Sequence, residues 1–151
     1  MARTLKEIKV RDGPRSSYTM ADTHRHVLFV DDYPDALAVW SIFLRLSGYH
    51  VTVTGDGLKA VDLAHATHPD IVILDLDLPG LTGCEVARHL RDDDDTSGIP
   101  LIAVTGHSEA AYVADARDAG FDAILTKPCE PGDLLRNIER LLPAASRAGK
   151  E

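Results

Sequence analysis

Short runs of apolar residues alternate along the chain with longer segments in which apolar residues recur every three or four positions. The clearest run, IVIL at 71–74, leads straight into Asp75, and Pro79, Gly80 and Gly83 then interrupt the chain. An apolar run without polar alternation is typical of a strand covered on both faces, as in a parallel sheet. The pattern therefore predicts a central parallel strand that ends at Asp75.

The same alternation predicts the whole fold from residue 26 onwards. The predicted strands lie within HVLFVDD, YHVTVTGDG, IVILD, IPLIAVTG and FDAILTKP, and the predicted helices within PDALAVWSIFLRLSG, LKAVDLAHATHPD, CEVARHLRDDD, EAAYVADARDAG and PGDLLRNIERLL. Gly48 and Gly120 stand where helices commonly end, and Pro34 and Pro131 suit first helical turns. The sum is an α/β fold of the (βα)5 type, with parallel strands joined by right-handed crossovers.

The domain organisation follows from where this rhythm begins and stops. Residues 1–24 carry no strong pattern and five basic residues, so we expect a mobile N-terminal arm there. Residues 25–143 form the predicted domain, and residues 144–151 form a C-terminal tail. A chain of 151 residues is long enough to bury a core without disulfides or metals.

Charge and composition exclude several function classes. A net charge of −8 argues against direct nucleic-acid binding, because phosphate contacts need clustered Lys and Arg. Two cysteines, Cys84 and Cys129, do not make a disulfide framework, so we expect free thiols and a reducing compartment. The chain has no apolar run near the roughly 20 residues of a membrane span. We therefore expect a cytoplasmic protein without membrane insertion.

Polar residues at the ends of four predicted strands supply the candidate chemistry. They are Asp31 and Asp32 after the first strand, Asp75 after the third, Thr105 after the fourth and Lys127 after the fifth. The carboxyl ends of parallel strands share one edge of the sheet, where ligands of open α/β folds bind. We therefore expect three carboxylates, a hydroxyl and an ammonium group in one crevice.

Crowded carboxylates repel one another, and a divalent cation relieves that repulsion. Mg²⁺ prefers oxygen ligands and keeps waters and phosphate oxygens in its shell, so it fits such an open site. A carboxylate beside the metal can attack phosphorus and form an acyl phosphate. Lys127 and Thr105 would then stabilise the charge on the phosphoryl oxygens. The alternative of a purely structural salt bridge leaves too many carboxylates for one lysine.

This constellation resembles the receiver domain of two-component response regulators, over about residues 26–142. The resemblance implies a flavodoxin-like, doubly wound sheet in the order 2-1-3-4-5. It also implies that Asp75 is the phosphoacceptor, that Asp32 binds Mg²⁺ directly, and that Asp31 acts mainly through water. The other protein ligand of the metal would be the main-chain carbonyl of Asp77. Thr105 would be the switch hydroxyl and Lys127 the phosphate partner, and Lys127–Pro128 would be a cis peptide bond.

The resemblance also implies the partners. The phosphoryl donor would be a sensor histidine kinase or a histidine phosphotransfer protein, and catalysis would be limited to self-phosphorylation and acyl-phosphate hydrolysis. Only PAASRAGKE follows Leu142, so we expect a single-domain receiver without an output domain. Its downstream protein target would bind the surface formed by about residues 108–142.

Three residues depart from the family pattern or bear on the rate of hydrolysis. Ile124 stands where the family has its switch aromatic, three residues before the lysine. The coupled rotation of the switch threonine and a tyrosine at that position, usual in the family, therefore cannot be assumed here. Asp77 and His107 flank the expected phosphoryl site. We therefore expect Asp77 to give the acyl phosphate a lifetime different from that of most receivers.

Two alternatives stay open at this point. DLDLP resembles the nucleophile motif of haloacid dehalogenase-like phosphatases, but in those enzymes the further metal-binding acids follow the nucleophile, whereas Asp31 and Asp32 precede Asp75. The second alternative is a pseudo-receiver, a scaffold that acts without phosphorylation. Only Ile124 favours it, because every acidic, hydroxyl and lysine position is filled.

Overall fold

A computed structural model describes residues 24–142, so the predicted tail and all but the last residue of the predicted arm lie outside the described residues. Five strands alternate with five helices. The strands are β1 (His26–Val30), β2 (His50–Thr54), β3 (Ile71–Asp75), β4 (Leu101–Thr105) and β5 (Ala123–Thr126). The helices are α1 (Pro34–Leu46), α2 (Gly57–Thr67), α3 (Gly83–Arg91), α4 (Ala110–Ala119) and α5 (Pro131–Leu141).

The strands form one parallel sheet in the order β2-β1-β3-β4-β5, which confirms the predicted fold class. β3 lies at the centre, and all five of its residues are buried. Because both faces of β3 are covered, residues 71–74 form an uninterrupted apolar run.

Helices cover both faces of the sheet. Side chains that alternate along β1 point to opposite sides. Leu28 and Val30 join the core beneath α2, α3 and α4, whereas Val27 and Phe29 join the core beneath α1 and α5. None of the helices described for residues 24–142 is long and apolar enough to cross a membrane.

The predicted signals at helix ends are confirmed. Pro34 and Pro131 occupy the first turns of α1 and α5. Gly48 and Gly120 follow α1 and α4 with φ of 101° and 111°, in the left-handed region that glycine adopts without steric cost. Proline and glycine thus mark the starts of α1 and α5 and the ends of α1 and α4, as predicted.

Helix α3 ends earlier than its sequence pattern predicts. The predicted helix ran on into the acidic run, but the observed helix stops at Arg91. The Thr96 hydroxyl donates to the Leu90 carbonyl at 2.7 Å, and the Asp95 N–H donates to Asp93 Oδ1 at 2.9 Å. These bonds replace the next helical turn, because short polar side chains offer the backbone an alternative to helix.

The loop between β3 and α3 is held close to the end of β3. Thr82 and Glu85 form a reciprocal capping box at the start of α3. A Cβ atom at Gly83 would lie 2.5 Å from the carbonyl oxygen of Asp75, so only glycine allows this approach. The close contact fixes the path of the chain immediately after Asp75.

Candidate functional site

Strand register brings the predicted residues to one edge of the sheet. Val30 of β1 pairs with Leu74 of β3, so the residues that follow them, Asp31 and Asp75, lie on neighbouring strands at the same height. In the same way Thr105 of β4 pairs with Thr126 of β5, one residue before Lys127. The Lys127 N–H donates to the Thr105 carbonyl at 2.8 Å and extends that ladder by one residue.

The three predicted carboxylates form a compact group. Asp31 and Asp75 are only 4% and 7% exposed, whereas Asp32 is exposed to solvent. One carboxylate oxygen of each residue lies within 4.8 Å of the others. Oxygen ligands at this spacing, with one side open to water, suit a hard divalent cation such as Mg²⁺.

Lys127 partly neutralises this group. Its Nζ atom lies 3.3 Å from Asp75 Oδ2 and 3.4 Å from Asp31 Oδ2, and its side chain is 39% exposed. One ammonium group facing three carboxylates leaves net negative charge in the crevice. A salt bridge alone therefore does not balance the site.

The titration of Asp75 and Lys127 reflects this arrangement. Burial raises the pKa of Asp75, and the Asp77 N–H and the Lys127 ammonium only partly offset it, while Asp31 raises it further. Burial by itself would lower the pKa of Lys127, but Asp75 and Asp31 together outweigh it and raise that pKa. Lys127 therefore stays protonated beside a carboxylate that holds its proton more tightly than usual.

Backbone donors orient the two buried carboxylates. The Tyr33 N–H donates to Asp31 Oδ1 at 2.9 Å, and the Asp77 N–H donates to Asp75 Oδ1 at 3.1 Å. In both residues the second oxygen, Oδ2, faces Lys127. The loops that follow β1 and β3 thus orient one oxygen of each carboxylate, and the Lys127 side chain contacts the other.

The hydroxyl of Thr105 faces the following loop. Thr105 is 1% exposed, and its Oγ atom accepts a hydrogen bond from the His107 N–H at 3.0 Å. The His107 ring in turn lies beside Asp77 and stacks on Tyr112 of α4. The role of Tyr112 was not predictable from the sequence, because no periodicity or motif reveals which side chain a loop histidine contacts.

Two further sequence expectations concern β5 and its end. Ile124 is half-buried and packs against the core beneath α2, α3 and α4. The Lys127–Pro128 peptide bond is cis, which confirms the geometry that the resemblance implied.

Cys84 and Cys129 are both free, again as expected.

Comparison with known sequences identifies relatives. The family model described as the response regulator receiver domain matches residues 27–139. The DNA-binding response regulator MtrA of Mycolicibacterium smegmatis is 36% identical over 122 residues, which cover 80% of this chain and 52% of MtrA. The polar-differentiation response regulator DivK of Brucella ovis is 32% identical over 118 residues, which cover 78% of this chain and 96% of DivK. The chain therefore spans about half the length of MtrA.

Solved structures agree with these relatives. The receiver domain of the sensor histidine kinase PA1611 from Pseudomonas aeruginosa, with a magnesium ion coordinated in its active-site cleft, has a TM-score of 0.76 and 30% identity. The match covers 81% of this chain and 100% of that domain. The chemotaxis response regulator CheY4 of Vibrio cholerae has a TM-score of 0.74 and 28% identity, over 79% and 99% of the two chains. The chain belongs to the response regulator receiver domain family of two-component signalling.

Proposed function

We propose that this receiver accepts a phosphoryl group on Asp75 and thereby changes its binding to a protein partner. The observation that carries the proposal is the position of the Asp75 carboxylate, buried beside Asp31 and Asp32 and in contact with Lys127. A nucleophilic carboxylate needs such a setting, because its own charge and that of the phosphoryl group must both be balanced.

The acidic group has the donor set for Mg²⁺. Asp31, Asp32 and Asp75 supply carboxylate oxygens, with Asp31 acting mainly through water, and the main-chain carbonyl of Asp77 completes the protein ligands. When bound, Mg²⁺ supplies positive charge to the carboxylates and to a phosphoryl oxygen. Its presence in the cleft of the PA1611 receiver domain supports the same cofactor here.

The reaction is transfer from a phosphohistidine of a kinase or phosphotransfer protein. A carboxylate oxygen of Asp75 forms a bond to phosphorus as the bond between phosphorus and the imidazole nitrogen breaks. The electron pair of the broken bond stays on the imidazole. Hydrolysis later replaces the carboxylate with water and regenerates Asp75, so the protein is a signalling module whose only catalysis is on itself.

Two side chains stabilise the transferred group. Lys127 gives up its contacts with Asp75 and Asp31 and binds phosphoryl oxygens instead. Its positive charge is therefore already in place when the phosphoryl group arrives. The Thr105 hydroxyl donates a hydrogen bond to another phosphoryl oxygen. Both groups act by positioning and charge, which is the main requirement of phosphoryl transfer.

We place this activity in the cytoplasm, with a protein as the output partner. The partner would bind the surface made by α4, β5 and α5, within residues 108–142. The net charge of −8 argues against direct nucleic-acid contact, although the relative MtrA is named as DNA-binding.

The first test is the intact mass of the protein after exposure to acetyl phosphate, with and without Mg²⁺. We expect a metal-dependent gain of about 80 Da, the mass of one phosphoryl group, in the wild type. Asp75→Ala should lose the gain. Asp62→Asn, which changes an exposed carboxylate on α2, should keep it.

Other outcomes separate the alternatives. The proposal is contradicted if the wild type gains no mass under conditions in which hydrolysis of an acyl phosphate is too slow to hide the gain. A standard receiver that keeps its phosphoryl group under those conditions serves as the positive control. Partner binding that is unchanged in Asp75→Ala would then support a pseudo-receiver. Steady turnover of p-nitrophenyl phosphate would instead support a phosphatase.

The lifetime of the acyl phosphate depends, in this proposal, on Asp77. Its exposed side chain lies next to the site, on the residue whose N–H binds Asp75. Replacement by asparagine removes one negative charge beside the phosphoryl group and leaves the shape of the side chain. The dephosphorylation rate of Asp77→Asn should therefore differ from that of the wild type, and equal rates contradict this role.

A further inference from the structure

The loop after β4 contacts the loop after β3 through one imidazole ring. His107 Nε2 lies 3.1 Å from Asp77 Oδ2. The face of the same imidazole ring stacks on Tyr112 in the first turn of α4. The ring centroids lie 4.0 Å apart and the ring planes are inclined at 9°. We call Asp77, His107 and Tyr112 the His107 clasp, because together they join the β3–α3 loop to α4.

The clasp is attached to the site through the backbone. The His107 N–H donates to Thr105 Oγ, the hydroxyl that the proposed function assigns to a phosphoryl oxygen. The side chain of threonine is confined to a few staggered rotamers. A rotation that carries Oγ of Thr105 towards a phosphoryl group therefore lengthens or breaks its bond to His107.

Position 124 does not offer an aromatic route from the site to the surface. Ile124 is aliphatic, half-buried and packed in the core, so it has no ring or hydroxyl to exchange between inner and outer partners. Tyr112 supplies an aromatic ring in contact with the β4–α4 loop, and it is 43% exposed. The described contacts thus run from Thr105 through His107 to Tyr112.

We propose that His107 couples phosphoryl acceptance at Asp75 to the surface of α4, an inference that rests on the proposed function. In the free protein the clasp is closed. Phosphorylation draws the Thr105 hydroxyl away, the His107 N–H loses its acceptor, and the ring leaves Asp77 and Tyr112. The protein partner then meets a Tyr112 side chain that the imidazole no longer covers.

The strength of the clasp suits such a switch. His107 is 35% exposed and the Asp77 side chain 63% exposed, so solvent screens their attraction. A weak clasp can be opened by the loss of a single hydrogen bond. By thermodynamic reciprocity, a variant whose clasp is already open must bind a phosphoryl group more tightly.

The experiment uses the full chain, Mg²⁺ and beryllium fluoride as a stable mimic of the phosphoryl group. The ring signals of Tyr112 are followed by NMR and assigned with Tyr112→Leu, because a stacked imidazole shifts them. We expect these signals to move when the wild type is loaded. In His107→Ala they should start near the loaded position and move little further.

Affinity gives a second readout. His107→Ala should reach half-saturation at an about fivefold lower concentration of beryllium fluoride, at the low end of usual couplings because the clasp is exposed. His107→Phe keeps an aromatic ring for Tyr112 but removes the contacts of the imidazole nitrogens with Asp77 and Glu109, and should lie between wild type and His107→Ala. His89→Ala, which changes an exposed histidine on α3, should behave like the wild type.

The outcomes distinguish the coupling from the proposed function. Loading that moves the amide signal of Leu76, next to Asp75, but leaves Tyr112 unchanged overturns the coupling and leaves phosphorylation intact. Equal affinity of His107→Ala and wild type also overturns it. If neither beryllium fluoride nor acetyl phosphate modifies the wild type, the proposed function fails and the coupling with it.

Discussion

At the scale of single residues, the demands of the site oppose those of stability at Asp75. Its carboxylate is 7% exposed and lies near Asp31, so its ionised form loses water and meets like charge. Lys127 and the Asp77 N–H recover only part of that loss, and the pKa of Asp75 is raised. In the absence of metal, the charge at Asp75 therefore destabilises the folded protein.

Neutralising that charge should stabilise the metal-free protein. We expect Asp75→Asn to raise the free energy of unfolding at pH 7, because the raised pKa of Asp75 means that the folded protein disfavours its ionised form. Urea unfolding in the presence of EDTA measures it. The exposed change Asp62→Asn is the control, and a destabilised Asp75→Asn would contradict the prediction.

The same effect has a defined dependence on pH. Because the pKa of Asp75 is raised, the folded state binds a proton more tightly than the unfolded state, whose value is near 3.8. Wild-type stability therefore loses this contribution as pH rises from about 3.8 through the raised pKa. The advantage of Asp75→Asn should grow over that range and then stay constant. An advantage independent of pH would exclude this cause.

At the scale of elements, close packing of the β3–α3 loop sets the geometry after Asp75. Gly83 allows the start of α3 to approach the Asp75 carbonyl, and the Thr82 capping box fixes the direction of the helix. The loop carries Asp77, whose N–H binds the Asp75 carboxylate. A change in this packing therefore affects stability and site geometry together.

Gly83→Ala tests this packing. The added methyl group would lie 2.5 Å from the Asp75 carbonyl oxygen and 2.7 Å from Leu76 Cα, so backbone atoms must move. We expect a loss of about 1–3 kcal/mol in the free energy of unfolding, as for other overpacked sites. A Cβ at Gly98 would meet no atom within 4 Å, so Gly98→Ala should change stability by no more than about 0.5 kcal/mol. Equal effects of the two substitutions would refute the argument.

Sequence predicted the elements well where one local cause determines them. The buried strands gave uninterrupted apolar runs, and a parallel sheet places the residues after them at one edge, so Asp31, Asp75 and Lys127 could be grouped in advance. The end of α3 was predicted wrongly, because the bond from Thr96 to Leu90 depends on how the loop folds back. The stack of His107 on Tyr112 was missed for the same reason.

At the scale of the whole molecule, the site joins parts of the chain that are distant in sequence. Lys127 contacts Asp31 across 96 residues and Asp75 across 52. None of these groups is near another in an unfolded chain. A cation held by the carboxylates of Asp31 and Asp75 together therefore binds only the folded protein and must stabilise it.

Mg²⁺ should accordingly raise the free energy of unfolding. At a concentration 100 times the dissociation constant, the expected gain is about 2.7 kcal/mol. Asp32→Asn should lose most of it with little effect on the metal-free protein, because Asp32 is exposed. Urea unfolding with Mg²⁺, and with Na⁺ at the same ionic strength, measures the difference. A gain that Asp32→Asn retains would place the cation elsewhere.

The complete burial of β3 has a consequence for hydrogen exchange. Amides in a central, fully covered strand exchange only when the whole domain unfolds, whereas those of surface loops exchange through local openings. The strand that ends at Asp75 should thus be among the last parts to exchange, and the loop carrying His107 among the first. The phosphoryl acceptor would stand on the slowest-exchanging part of the protein, while the neighbouring loop that carries His107 would belong to its fastest.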